Sequence, residues 1–166
     1  QSAILLEKGE VRYNGDTALR NRQARIFLTN RLLEEKTSPW ACATLHSLMA
    51  RCYLDIGEKE KALEHASAAI TLNSGHSYAH LTKILAFLSQ KDVTSAIAAF
   101  NAGSRFIIDS ASHAAILASA FRAAGEHPLA IRIAQAAISN PDTPADTRQV
   151  AHIIQRSAAS RHRTHQ

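Results

Sequence analysis

Between residues 43 and 142 apolar residues recur every three or four positions, the spacing of one buried helix face. The pattern is interrupted at Gly57-Glu58, at Gln90-Lys91-Asp92 and at Gly125-Glu126, each a place where a helix is expected to stop. The interruptions recur with a period of 34 residues, and so do other positions. Tyr53, Phe87 and Phe121 share it, as do Ala62, Ala96 and Ala130, and Ala69, Gly103 and Ala137. Met49, Lys83 and Leu117 follow the same interval, with Lys83 breaking the apolar character, and so do Ala50, Ile84 and Ala118. The pattern predicts three units, 43–76, 77–110 and 111–144, each a pair of helices joined by a short turn.

A two-helix unit of this length resembles the tetratricopeptide repeat. In the first unit Met49-Ala50, Tyr53, Gly57, Ala62, Ala66 and Ala69 stand where that family has Leu-Gly, Tyr, Gly, Ala, an aromatic and Ala. In the third, Leu117-Ala118, Phe121, Gly125, Ala130, Ala134 and Ala137 do the same, and Pro141 closes the repeat. The second unit keeps Phe87, Ala96 and Phe100 and departs at Lys91 and Gly103. Small residues let paired helices approach closely, and the aromatic is expected to fill the gap between neighbouring hairpins. The resemblance implies an all-α solenoid of stacked hairpins, one superhelical domain over residues 1–160.

The flanks are expected to complete it. Ala3 to Leu6 suit a helix that ends at the Asn14-Gly15-Asp16 turn, and Thr17 to Lys36 reads as a long helix with Leu19, Ile26, Phe27 and Leu33 inward. Residues 1–38 are thus a degenerate hairpin. Ser38 then caps a helix whose first residue is Pro39. At the other end 145–159 predicts a capping helix, with Ala151, Ile153 and Ile154 on its apolar face and Arg148, Gln149, His152 and Arg156 on its polar one. Residues 161–166 are read as a basic tail.

Composition agrees with helices. The 166 residues are 46% apolar and 20% charged, with 6 Gly and 4 Pro, so the chain should fold. Aromatics at 5% are too few for a sheet protein of aromatic and β-branched strands. No run approaches the roughly 20 apolar residues that span a bilayer. The first residue is Gln1 and the only methionine is Met49, which points to a piece of a longer protein. Cys42 and Cys52, ten residues and about 15 Å apart along one helix, are too far apart for a disulfide and lack Cys-x-x-Cys spacing. Small apolar thiols in a reducing, cytoplasmic setting are expected.

Charge adds little to this picture. Of the formal net charge of +5, the excess lies at the two ends of the chain, and the C-terminal Arg156, Arg161, His162, Arg163 and His165 lack the interleaved aromatics of a single-strand binder. Nucleic acid is expected only through an attached domain outside this chain.

No catalytic signature is present: no phosphate-cradling glycine loop, no Gly-x-Ser-x-Gly elbow, no His-Glu-x-x-His. His76 and His80 stand four apart, as zinc ligands on one helix do, but His80 also falls 34 residues after His46, where the family places a bulky packing residue. We therefore expect neither an enzyme nor a cofactor or metal.

What remains is binding. By the resemblance, the second, fifth, ninth and twelfth residues of each unit face a concave groove: Thr44, Ser47, Arg51 and Leu54 in the first unit. Tyr78, Leu81, Leu85 and Leu88 follow in the second, with Leu81 and Leu88 equally readable as core. Ser112, Ala115, Ser119 and Arg122 come from the third, and Gln149 and Arg156 extend the wall. An apolar centre with Arg at the ends suits a peptide or helix with apolar anchors and acidic flanks. The family's clamp for chaperone C-termini is not matched, since its positions hold Ser47, Arg51, Thr82, Ser112 and Ile116, of which only Arg51 is cationic.

Two contexts are open. The order of Gly9-Glu10, Ala24-Arg25 and Leu33, then Ala50-Arg51-Cys52-Tyr53-Leu54, then Ala62-Leu63-Glu64-His65-Ala66, resembles the repeat domain that follows a winged-helix DNA-binding domain in bacterial transcription activators. That implies a regulatory domain that senses a partner or self-associates. The other is a type III secretion chaperone, also about three repeats long, which cradles a segment of a translocator.

Overall fold

The structure, a computed structural model, describes residues 17–34 and 38–164, and the surroundings of the side chains at 22–34 and 38–160. It is all-helical, with no strand among the described residues. The eight helices there are α1 (Thr17–Glu34), α2 (Pro39–Asp55), α3 (Lys59–Leu72), α4 (Ser77–Ser89), α5 (Val93–Ile107), α6 (Ala111–Ala123), α7 (His127–Ser139) and α8 (Ala145–Thr164). The expected helix over Ala3 to Leu6 and its turn lie outside the described residues, as do the side-chain surroundings of Leu19. Among the described residues no helix is long and apolar enough to cross a membrane.

The 34-residue period is visible in the backbone. Helices α4, α6 and α8 begin at Ser77, Ala111 and Ala145, and α3, α5 and α7 begin at Lys59, Val93 and His127. The turns between α2 and α3, α4 and α5, and α6 and α7 are built alike. The carbonyls of Tyr53, Phe87 and Phe121 accept from the amides of Glu58, Asp92 and Glu126, and those of Leu54, Leu88 and Arg122 accept from Gly57, Lys91 and Gly125. This double bond pattern satisfies the last carbonyls of a helix and requires a left-handed residue just beyond it. Gly57 and Gly125 supply it with φ of 86° and 90°, and in the second turn Lys91 is forced to φ 62°.

A left-handed lysine carries backbone strain that glycine does not, on the order of 1–2 kcal/mol, partly offset by the entropy glycine loses on folding. Lys91→Gly should therefore raise stability by about 1 kcal/mol in urea unfolding. A loss of that size would contradict the strain.

Two helix starts follow from local chemistry. The Ser38 hydroxyl accepts from the Ala41 amide at 3.2 Å with Pro39 in the first turn, as expected. Asp92 caps α5 by accepting from the Ser95 amide at 3.0 Å.

The chain forms two compact units, 1–86 and 87–166, with the division inside α4. In the first, α1 packs on α2 and α2 on α3. Its buried residues are mostly small: Ala43, Ala50, Ala62, Ala66 and Ala69, with Met49 and Cys52 between them and Ala79, Leu81 and Ile84 from α4. Alanine at these positions lets helix axes approach closely. In the second unit α7 packs on both α6 and α8, and α6 also meets α8. Phe100 and Phe121 pack edge to face, centroids 5.8 Å apart, and the other buried residues of this unit include Leu117, Ile133, Ala118, Ala130, Ala134 and Ala137.

Three local expectations are corrected. Tyr53 is half-buried and stacks on His65 of its own hairpin, centroids 5.3 Å apart, where a ring buried between hairpins was expected. On α8 the buried stripe is Ala151, Ile154 and Ala158, at helical spacing, which turns Ile153 outward to 60% exposure. The helix also runs on to Thr164, past the expected end at 159, because Ala158 to Thr164 contains neither Gly nor Pro to stop it.

Candidate binding pocket

In the first unit α1 and α2 enclose a concavity of about 500 Å³, closed on one side by Tyr78 in the first turn of α4. Helical spacing places its walls. Arg22, Arg25 and Thr29 lie on one stripe of α1, and Leu48, Arg51, Cys52 and Asp55 on one stripe of α2. Thr29 and Cys52 are buried, while Arg25 and Leu48 are exposed.

Asp55 organises the charges. Its Oδ2 accepts from Arg22 Nε at 3.1 Å and its Oδ1 accepts from Arg51 Nε at 3.0 Å, so one carboxylate holds two guanidinium groups. Both arginines are about a third exposed, and such partly solvated pairs contribute little stability individually. Burial pushes the Cys52 thiol up, against the opposing pull of Arg25, and it pushes the Tyr78 phenol up, against Arg51. Both therefore stay protonated and neutral near pH 7, and the lining carries three guanidinium charges against one carboxylate.

Two residues expected on the groove, Arg51 and Tyr78, are brought together here. The others in this unit are not. The Thr44 hydroxyl donates to the Trp40 carbonyl, buried Ser47 donates to the Thr44 carbonyl at 2.8 Å, and Leu81 is wholly buried and offers no surface to a ligand. Leu54 and Leu85 are half-buried. Arg22, Arg25 and Asp55 were not singled out from the sequence, although the alternation of Arg22 and Arg25 with Thr29 down one face of α1 carried the signal.

In the second unit Leu88, Ser119 and Arg122 are half-buried, Ser112 is exposed and Ala115 is buried. Arg122 Nε is buried with no hydrogen-bond partner among the described residues. Gln149 and Arg156 line a shallow depression on α8 with Arg148, His152 and Ile153. Arg148 is tied down there, its Nη2 donating to the carbonyls of Asn140, Pro141 and Thr143.

The histidines of the first unit are structural in their contacts. His46 and His65 face each other across α2 and α3 with Nδ1 atoms 2.8 Å apart, so one donates and the other accepts. His80 Nε2 donates to the Ser74 carbonyl at 2.8 Å, and His76 Nδ1 accepts from the Ala79 amide at 3.3 Å. Among the described residues no group of three or more His, Cys, Asp or Glu is placed to hold a metal ion.

Burial lowers the pKa of His46, His65, His76 and His113 below the ordinary 6.5; Glu64 opposes this at His46 and His65, and the charge of His46 reinforces it at His65. The folded state then binds fewer protons than the unfolded one. Stability is full above about pH 6.5 and falls as pH drops from there through the folded pKa values. The melting temperature should be lower at about pH 5.5 than at about pH 7.5. His65→Gln should reduce that difference, because two protonated rings cannot share the Nδ1 bond and the variant has no such pair to lose. A pH-independent melting temperature would contradict this.

Compared with known proteins, the chain matches no family model, and no curated protein matches it significantly.

Proposed function

We propose that the chain is a protein-interaction domain of tetratricopeptide-like hairpins that binds a segment of a partner protein with apolar anchors and acidic residues. One observation carries this reading: the first unit gathers Arg51 and Tyr78 with Arg22, Arg25 and exposed Leu48 around one concavity with a surplus of positive charge. The recurrence of the same left-handed turn at Gly57, Lys91 and Gly125 supports the repeat reading. In the setting the resemblance implies, the domain is the regulatory part of a transcription regulator, and the bound segment is its signal.

The test is fluorescence anisotropy with a labelled amphipathic peptide of leucines flanked by glutamates. Binding should saturate and weaken with salt, as partly exposed charges are screened. Leu48→Glu should weaken it tenfold or more, because Leu48 lines the concavity and the variant sets a charge against the apolar side of the peptide. Leu48 is exposed, so the melting temperature should change little. A fall of many degrees would place Leu48 in the core, and undisturbed binding would remove it from the groove.

A further inference from the structure

We propose that the pocket between α1 and α2 is a carboxylate site, in which Asp55 is a built-in template that presents Arg22 and Arg51 to a second, incoming carboxylate. The peptide form of this proposal rests on the interaction reading above; the small-molecule form does not.

Asp55 engages both arginines through Nε. A guanidinium has five N–H donors, so each arginine keeps its Nη donors, and among the described residues those donors have no acceptor. Arg25 lines the same cavity, is exposed and has no carboxylate partner among the described residues. Three guanidinium groups thus meet one resident carboxylate, which leaves two positive charges uncompensated. A planar, bidentate acceptor matches the free edges of such groups better than a point charge does.

The neighbours narrow the class further. Cys52 and Thr29 close the floor, and exposed Leu48 offers an apolar wall beside the charges. A cavity of about 500 Å³ accommodates an acidic side chain, a chain terminus or an organic acid of a few carbons. The ligand class is a carboxylate on a short carbon chain, supplied either by a protein segment or by a free acid. Because Asp55 fixes the arginines before the ligand arrives, less side-chain freedom is lost on binding.

Calorimetric titration of the whole chain in low-chloride buffer tests this with two probes. One is citrate. The other is a short leucine-alanine peptide ending in aspartate with a free terminal carboxylate, compared with an amidated peptide ending in asparagine. The expected result is saturable one-site binding of at least one acidic probe, weakened tenfold or more by Arg25→Glu. Arg31→Glu, the same charge change at an exposed position of α1 outside the pocket, should alter binding less than twofold. Melting temperatures should be the same for both variants, since both residues are exposed.

Citrate binding identifies a free acid as the source, and binding of the acidic peptide alone identifies a protein segment. Failure of both acidic probes overturns the proposal. So does binding that Arg25→Glu leaves intact. If the amphipathic peptide of the anisotropy assay still binds in that case, the interaction reading stands and the carboxylate site falls; if citrate binds through Arg25 and no peptide binds, the site stands and the interaction reading falls.

Discussion

Phe121→Ala should cost about 3–5 kcal/mol of stability, the range for truncating a buried aromatic to a methyl. Phe121 is wholly buried, and its ring meets the edge of Phe100. Removing it leaves a cavity beside the Phe100 ring, and a close-packed interior relaxes only partly to fill such a void. Its carbonyl also closes the turn into α7 by accepting from the Glu126 amide, which fixes the ring's place at the end of α6. Urea unfolding measures the loss, and a value below about 1 kcal/mol would mean that the ring is not in the core. The equivalent Tyr53→Ala should cost less, since Tyr53 is half-buried and its stacking partner His65 is itself partly exposed.

The reverse change tests the small-residue positions. Ala62, Ala96 and Ala130 are separated by 34 residues and all are wholly buried. Leucine at any of them inserts three heavy atoms at a position with no exposed surface, and overpacking of this kind costs about 1–3 kcal/mol. Ala62→Leu, Ala96→Leu and Ala130→Leu should therefore each be destabilising by similar amounts. Ala98→Leu, on the exposed side of α5, should stay within about 0.5 kcal/mol of the parent. A tolerated leucine at one of the three would break the equivalence of the repeats at that position.

The helix boundaries were legible because the punctuation is local. Gly57-Glu58, Gln90-Lys91-Asp92 and Gly125-Glu126 mark turns by residue type and spacing, and the helices end and begin around them. Ser38 and Pro39 likewise announce α2 from their own chemistry. What depends on side-chain direction was less legible. Tyr53, Phe87 and Phe121 share a repeat position, but the environment of each ring is set by non-local neighbours, His65 for Tyr53 and Phe100 for Phe121. Ile153 and Ile154 are both apolar and adjacent, and only the rotation of α8 decides which is covered.

The candidate site was half legible for a related reason. Arg51 and Tyr78 lie at repeat positions that the family places on its groove, and both line the pocket. Arg22 and Arg25 lie on α1, before the clear repeats, where the 34-residue pattern gives no position to compare. Asp55 reads in sequence as an ordinary residue in the last turn of a helix. Its part in bridging Arg22 and Arg51 depends on how α1 packs against α2.

Arginine side-chain and tyrosine ring signals in NMR, followed while the acidic amphipathic peptide is added, test the binding claim most directly. The Nε–H signals of Arg22, Arg25 and Arg51 and the ring of Tyr78 should shift together and saturate, while Arg31 and Arg105, outside the pocket, stay in place. The same peptide with glutamates replaced by glutamines should move them little. Shifts of equal size with the neutral peptide, or none at the three pocket arginines, would contradict the binding of an acidic segment through this pocket.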